Sequence, residues 1–341
     1  MDTNPVRTAQ SVLREARRLN EAHDYPALAR VLEPLSPVML EETPELAFLQ
    51  ADVWRRLGRS DDALARVRAL EPVCRLRGND RLARLRANLE GMLLFDRGDV
   101  AEAERVWLGL LDAATAARDE EFEARATNNL GVVFSLQRRG AEALATLARA
   151  LDAYRRLDHR RGMAQSHQNL AITYREMGFP GEARRHFARA LEFAEQDRSE
   201  DEAARVEQEM ALSLVLWGDP QLARVTALRA LARYQKLADP VGQGECRRVA
   251  GLVHLVARDV ERAEQELSAA QGLAVTGKAA LLEAEVLEAL AGAAMLREDR
   301  RRARTLRAQA TRTFRSIGAR VWARAARERI DGLIETARAS A

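Results

Sequence analysis

Small side chains recur at a fixed interval along the chain. Ala51, Gly91, Gly131, Ala171, Ala211, Gly251 and Ala291 each stand 40 residues after the one before. Twelve residues beyond each stands an alanine: Ala63, Ala103, Ala143, Ala183, Ala223, Ala263 and Ala303. Alanine is abundant, so one coincidence means little, but seven in one register define a repeat. A bulky column, Trp54, Leu94, Phe134, Tyr174, Leu214 and His254, fades to Ala294. A second, Val67, Trp107, Leu147, Phe187 and Leu267, is interrupted by Ala227 and Arg307. Between the two small positions lies a glycine in four units: Gly58, Gly98, Gly178 and Gly218.

This pattern predicts two antiparallel helices per unit. Helix axes about 8–10 Å apart need small residues where they cross. The Gly/Ala column supplies them on the first helix and the Ala column on the second, with the bulky residues filling the space beside the crossing. The glycine ends the first helix, because a left-handed backbone is favoured just past a helix end. Pro180 and Pro220 fall where a second helix begins, and proline fits a first helical turn. Pro26, Pro44, Pro72 and Pro240 read as boundary residues in the same way.

Composition supports the pattern. The 341 residues are 47% hydrophobic, 31% charged and only 5% aromatic, rich in strong helix formers and poor in β-branched residues. An all-α protein is expected. No Gly/Ser-rich linker interrupts the chain, so one repeat array is expected where length alone suggests two domains. The 54 bases, nearly all arginine, stand against 51 acids; a net charge of +3 gives no strong steering field.

The columns resemble those of the tetratricopeptide repeat family. The resemblance rests on "NNLGVVF" with Ala143, Leu147 and Ala150, and on "QNLAITY" with "MGFPGEA", Phe187 and Ala190. The family's common unit is about 34 residues; the longer unit here is similar to helical sensor regions of some bacterial transcription regulators and to eukaryotic adaptors. The resemblance implies a right-handed superhelical solenoid of seven to eight antiparallel helix pairs with a C-terminal capping helix. Residues 1–40 read as a degenerate N-terminal helix pair, 41–317 as seven units, and 318–341 as the capping helix and tail. The implied function is a non-catalytic scaffold that holds an extended or helical segment of a partner protein. The alternative is a peptide- or ligand-responsive module acting on a separate output protein.

Sequence motifs that carry chemistry are scarce. No phosphate-cradling loop, dinucleotide fingerprint, metalloprotease helix or nucleophile elbow is present. His23, His159, His167 and His186 read as surface or groove histidines, and His254, in the bulky column, as a partly buried packing residue. Cys74 and Cys246 are too far apart in sequence to suggest a disulfide framework or a zinc site, and a reducing cytosol is expected. The N-terminus lacks the apolar core of a signal peptide. No cofactor, metal or membrane span is expected.

Family resemblance also implies which side chains point into the concave groove: those three and six before the small residue, and one and four after it. In the middle units these are the amides Asn128, Gln168 and Gln208, the arginines Arg125, Arg175 and Arg205, and the aliphatics Val132, Ile172 and Leu212. Amides offer donors and an acceptor to an extended backbone. Arginines favour an acidic residue or a terminal carboxylate. These nine are the expected partner-binding residues, with the polar ones facing water. Asn129 and Asn169 read as ties between repeats. Further on, "ALSLVLWG" and "GLVHLVAR" are apolar all round. Val215, Leu216, Leu255 and Val256 therefore need a cover: the end helix, a second subunit in a homodimer, or the partner's own apolar side chains. From Arg297 to Arg329 the chain carries twelve arginines and three acids. This reads as a solvated cap, and specific nucleic-acid binding is not expected.

Overall fold

The computed structural model describes residues 8–22 and 24–339, and among these the only regular structure is helical. His23 lies outside the described residues. Two compact units divide the chain at Ala117 and Arg118.

The first unit holds α1 (Ala9–Glu21), α2 (Tyr25–Leu32), α3 (Pro37–Glu42), α4 (Pro44–Arg56), α5 (Ser60–Arg77), α6 (Asp80–Asp96) and α7 (Val100–Ala117). Leu28, Leu32 and Leu46 bring α2 and α4 into one apolar cluster with Val12 of α1 and Leu70 of α5. Pro72 lies inside α5, not at a boundary. It sits on the exposed side of that helix, where the carbonyl that loses its N–H donor can turn to water.

The second unit holds α8 (Glu120–Leu136), α9 (Gly140–Arg156), α10 (Arg160–Glu176), α11 (Pro180–Gln196), α12 (Glu200–Leu216) and α13 (Pro220–Lys236), then α14 (Pro240–Val256), α15 (Val260–Thr276), α16 (Ala280–Leu296), α17 (Arg300–Ser316) and α18 (Arg320–Ala339). Each helix packs on the next, and the first helices α8, α10, α12, α14 and α16 also pack on one another. They therefore form the inner layer of the stack.

The small columns meet where the pattern demands. A Cβ on Gly131 would lie 2.5 Å from Leu147 Cγ, and one on Gly251 2.6 Å from Leu267 Cγ. Alanine columns on the second helices are buried throughout. A finer period also runs through the turns. Residues 118, 138, 158, 178, 198, 218, 238, 258, 278, 298 and 318 all have positive φ. Only Gly178, Gly218 and Gly318 among them are glycine; the others include Arg138, Ala238 and Arg258. The residue after each turn often caps the next helix. Asp119, Asp219, Asp239, Asp259 and Asp299 each accept a backbone N–H through the side chain, and His159 Nδ1 does the same for Gly162 at 2.9 Å.

Candidate functional site: the inner face of the second unit

The inner face carries the expected rows on α8, α10, α12, α14 and α16, but its amides are not water-facing, whereas Arg125 is half-buried and Arg205 exposed. Asn128, Gln168 and Gln208 are each about 95% buried, at 5%, 6% and 6% exposure. The cause is the close approach of neighbouring first helices on the inside of the stack. Asn128 Oδ1 accepts from Ser166 Oγ at 3.0 Å and from Asn169 Nδ2 at 3.3 Å, so it ties α8 to α10. Gln168 differs: its Oε1 is buried and has no hydrogen-bond partner. Gln208 Nε2 makes only a long bond to Glu209 Oε1, at 3.5 Å.

Nor are the arginines open clamps, because each already holds a carboxylate. Arg125 donates to Glu121 at 2.7 Å, and Arg205 pairs with Glu202. The side chain of Arg175 is buried and donates to Glu209 at 3.0 Å and to Ser213 Oγ at 3.1 Å. One unit pair further, Arg248 reaches Glu245 at 2.8 Å and Glu285 at 3.3 Å. Burial works against the charge of Glu209, yet the facing Arg175 holds its pKa below the ordinary value. Burial raises the pKa of Glu245 despite the pull of Arg248, and nearby Glu285 adds to the rise. The face is thus a ladder of ion pairs, which a partner's single carboxylate would have to displace.

The apolar row changes character along the unit. Val132 on α8 and Ile172 on α10 are half-buried, whereas Leu212 on α12 and Leu252 on α14 are buried. The difference is α18. Ile330, Leu333 and Ile334 join one apolar cluster with Leu212, Val215, Leu252 and Leu255, and Leu216 and Val256 pack against it. A Cβ on Gly292 of α16 would stand 2.8 Å from Ile330 Cγ2. Polar ties hold the helix there as well. Arg338 donates to the Met295 carbonyl at 3.1 Å, and Glu328 accepts from Arg138 at 2.7 Å. The end helix thus joins the apolar cluster of the greasy helices, while Leu216 and Val256 remain half-buried beside it.

Behind the inner face, between α10 and α11, His167 Nδ1 and His186 Nδ1 lie 2.9 Å apart. His167 is buried, contrary to the surface or groove reading, and stacks on Phe193 at 5.6 Å between centroids. Burial, then the proximity of His186, lowers its pKa to about 4. Burial also lowers that of His186. His254 is half-buried, as its column implied. Cys74 and Cys246 are buried free thiols, and burial raises the pKa of both. Among the described residues no three His, Cys, Asp or Glu side chains could hold a metal ion, and no helix is long and apolar enough to cross a membrane.

Residues 122–196 and 160–236 match the sequence profile of the tetratricopeptide repeat family. No curated protein matches the chain. Several solved structures are similar in fold. A Rap protein complexed with competence and sporulation factor aligns with a TM-score of 0.63 at 14% identity, over 98% of this chain and 99% of that one. NprR in complex with its cognate peptide NprX aligns with a TM-score of 0.57 at 15% identity, over 82% of each. Aspartyl phosphate phosphatase F from Bacillus subtilis aligns with a TM-score of 0.57 at 10% identity, over 99% of this chain and 96% of that one.

Proposed function

From the tetratricopeptide repeats matched over residues 122–236, we propose that the chain is a non-catalytic interaction protein that holds a segment of a partner protein on the inner face of α8 and α10. The observation that carries this reading is the buried, partnerless Oε1 of Gln168 beside the half-buried Val132 and Ile172. An unsatisfied buried acceptor costs about 1–3 kcal/mol. A turn of the amide toward the groove would let a backbone N–H of an incoming segment satisfy it, while Val132 and Ile172 take up an apolar side chain. Further along, the corresponding row is already filled by the chain's own end helix.

A second reading, a peptide-responsive module acting on a separate output protein, is favoured by the company of the fold. The similar Rap and NprR structures were solved with a factor and a cognate peptide. Both readings place a polypeptide segment in the same rows. They differ in whether binding changes the rest of the chain, and hydrogen exchange of α18 with and without the captured segment separates them.

The test of the site is Gln168→Ala beside Asn128→Ala. Gln168→Ala removes an unmet acceptor, so it should leave the melting temperature unchanged or raised and weaken capture of the native partner. Asn128→Ala breaks the tie to Ser166 and Asn169, so it should cost about 1–2 kcal/mol of stability. Undiminished capture by a well-folded Gln168→Ala protein would place the partner elsewhere.

A further inference from the structure

The last two helices part company. They are joined at a tight turn, where Phe314, Ala319 and Ala326 share an apolar cluster with Trp322 packed against it. Beyond that turn α18 leans onto α14 and α16. A cleft of about 600 Å³ opens between α17 and α18 at the end of the repeat array.

Its walls are basic. α17 contains seven arginines and no acidic residue. Arg307, Thr311 and Arg315 follow one another four residues apart on one side of that helix, and of the α17 arginines Arg315 lines the cleft. That side faces α18: Arg307 pairs with Asp331, and Thr311 Oγ1 accepts from Arg327 at 3.1 Å. α18 adds Arg320 and Arg324 to the opposite wall. The cleft's two acids are already engaged, Asp331 by Arg307, and Glu328 by Arg324 and Arg138, both at 2.7 Å. Arg327 is held by Glu288 at 2.9 Å. Arg315 and Arg320 are exposed and form no ion pair among the described residues.

We propose that this cleft docks an acidic, Asp/Glu-rich segment of a partner protein, separately from the inner-face site. Planar guanidinium forks pair with carboxylates through two parallel hydrogen bonds, and two unpaired forks lining one cleft suit a chain of carboxylates. Nucleic acid fits less well. A single strand wants free aromatic faces to stack on, but Phe314 is buried and Trp322 is packed into the turn cluster. A duplex wants a long track of cations, and this cleft closes at the α17–α18 turn.

Fluorescence anisotropy on the full chain tests the assignment, with a short labelled Glu-rich peptide, its Gln-substituted counterpart, and a DNA oligonucleotide as probes. The Glu-rich peptide should bind at low salt and weaken as salt rises, while the Gln peptide should not bind. Arg315→Glu with Arg320→Glu should weaken binding by more than about tenfold, since like charges now face the peptide. Arg149→Glu with Arg224→Glu, the same charge change on the exposed sides of α9 and α13, should leave it within about twofold. Should the first pair prove unstable, Arg315→Gln with Arg320→Gln serves, with the same direction expected. Equal losses from the two pairs, or DNA binding as tight as the acidic peptide's and displacing it, would overturn the proposal.

Discussion

The inner faces of α8–α10 and of α14–α16 are built from the same repeat, yet one is open and the other is closed. Val132 and Ile172 are half-buried, while Leu252 is buried and Gly292 lies beneath Ile330. The ion-pair ladder spans both regions, so charge does not make the difference. What differs is hydrophobicity along the first helices. α12 and α14 carry extra apolar residues, Val215, Leu216, Leu255 and Val256, where α10 carries Arg175 and Glu176. A helix that is apolar all round has to be covered, and α18 supplies Ile330, Leu333 and Ile334 to do it. The sequence thus divides one continuous face into a part packed against the chain's own end helix and a part whose aliphatic row stays half-buried.

Breaking the closed half should have the largest effect. Ile330→Asp with Ile334→Asp puts two carboxylates into an apolar cluster without partners. It should lower stability by at least about 4 kcal/mol in urea unfolding and raise binding of a hydrophobic dye. Val132→Asp with Ile172→Asp, on half-buried positions of the open half, should cost less than half as much. Equal losses would mean that α8–α10 relies on its inner face for stability as heavily as α14–α16 does.

Acid should distinguish the same two regions. His167 and His186 occupy a position between α10 and α11 whose counterpart two units on is the Arg247–Glu266 ion pair, at 2.9 Å. One unit further it is Leu287 and Leu306. Burial lowers both histidine pKa values, that of His167 to about 4. The unfolded chain, with histidine near its ordinary 6.5, therefore binds more protons than the folded one between about pH 6.5 and 4, and stability falls as pH drops through that window. Glu182, Arg155 and Arg189 also act on the pair, and the two arginines work in the direction of the shift. Hydrogen exchange should show α10 and α11 loosening at pH 5 before α14 and α15. His167→Leu with His186→Leu, the pair the repeat already accepts at Leu287 and Leu306, should flatten the dependence. An unchanged pH profile in that variant would assign the acid response elsewhere.

Much of this fold can be read in the sequence, because a helix crossing tolerates only small side chains. Gly131 against Leu147 and Gly251 against Leu267 are consequences of that one constraint. The candidate site is less legible. Which residues point inward follows from helical spacing, but how closely the first helices approach does not. Asn128 therefore reads as water-facing in the sequence, although its partners, Ser166 and Asn169, stand 38 and 41 residues on. The end helix is readable as a terminal cap, yet its lean onto α14 and α16 uses a gap at Gly292, which stands where the aliphatic row has Val132, Ile172 and Leu212. The turns hold a further signal that the 40-residue columns pass over. An aspartate recurs at 119, 219, 239, 259 and 299, and each marks a helix start one residue after a left-handed backbone position.

That turn period yields the smallest effect and the finest version of the comparison. The open half ends α8 with Arg138, at φ 62°, and α10 with Gly178, at φ 81°, whereas the closed half ends α14 with Arg258 and α16 with Glu298, both at φ 60°. A side chain in the left-handed region crowds its own carbonyl and costs roughly 1–2 kcal/mol, which glycine avoids. Glycine also loses more freedom on folding, which offsets part of that gain. Arg258 and Glu298 are exposed and make no hydrogen bond or ion pair through their side chains among the described residues, so their loss removes nothing else. Arg258→Gly should therefore stabilise by about 0.5–1 kcal/mol, and Glu298→Gly by a similar amount. Because the two turns lie about one unit apart and share no partner, the double variant should show the sum. Gly178→Arg should move stability the opposite way, by at least as much. If Arg258→Gly lowers the melting temperature, the turn geometry at the closed half is held by something other than its local backbone, and the parallel between the two halves stops at their helices.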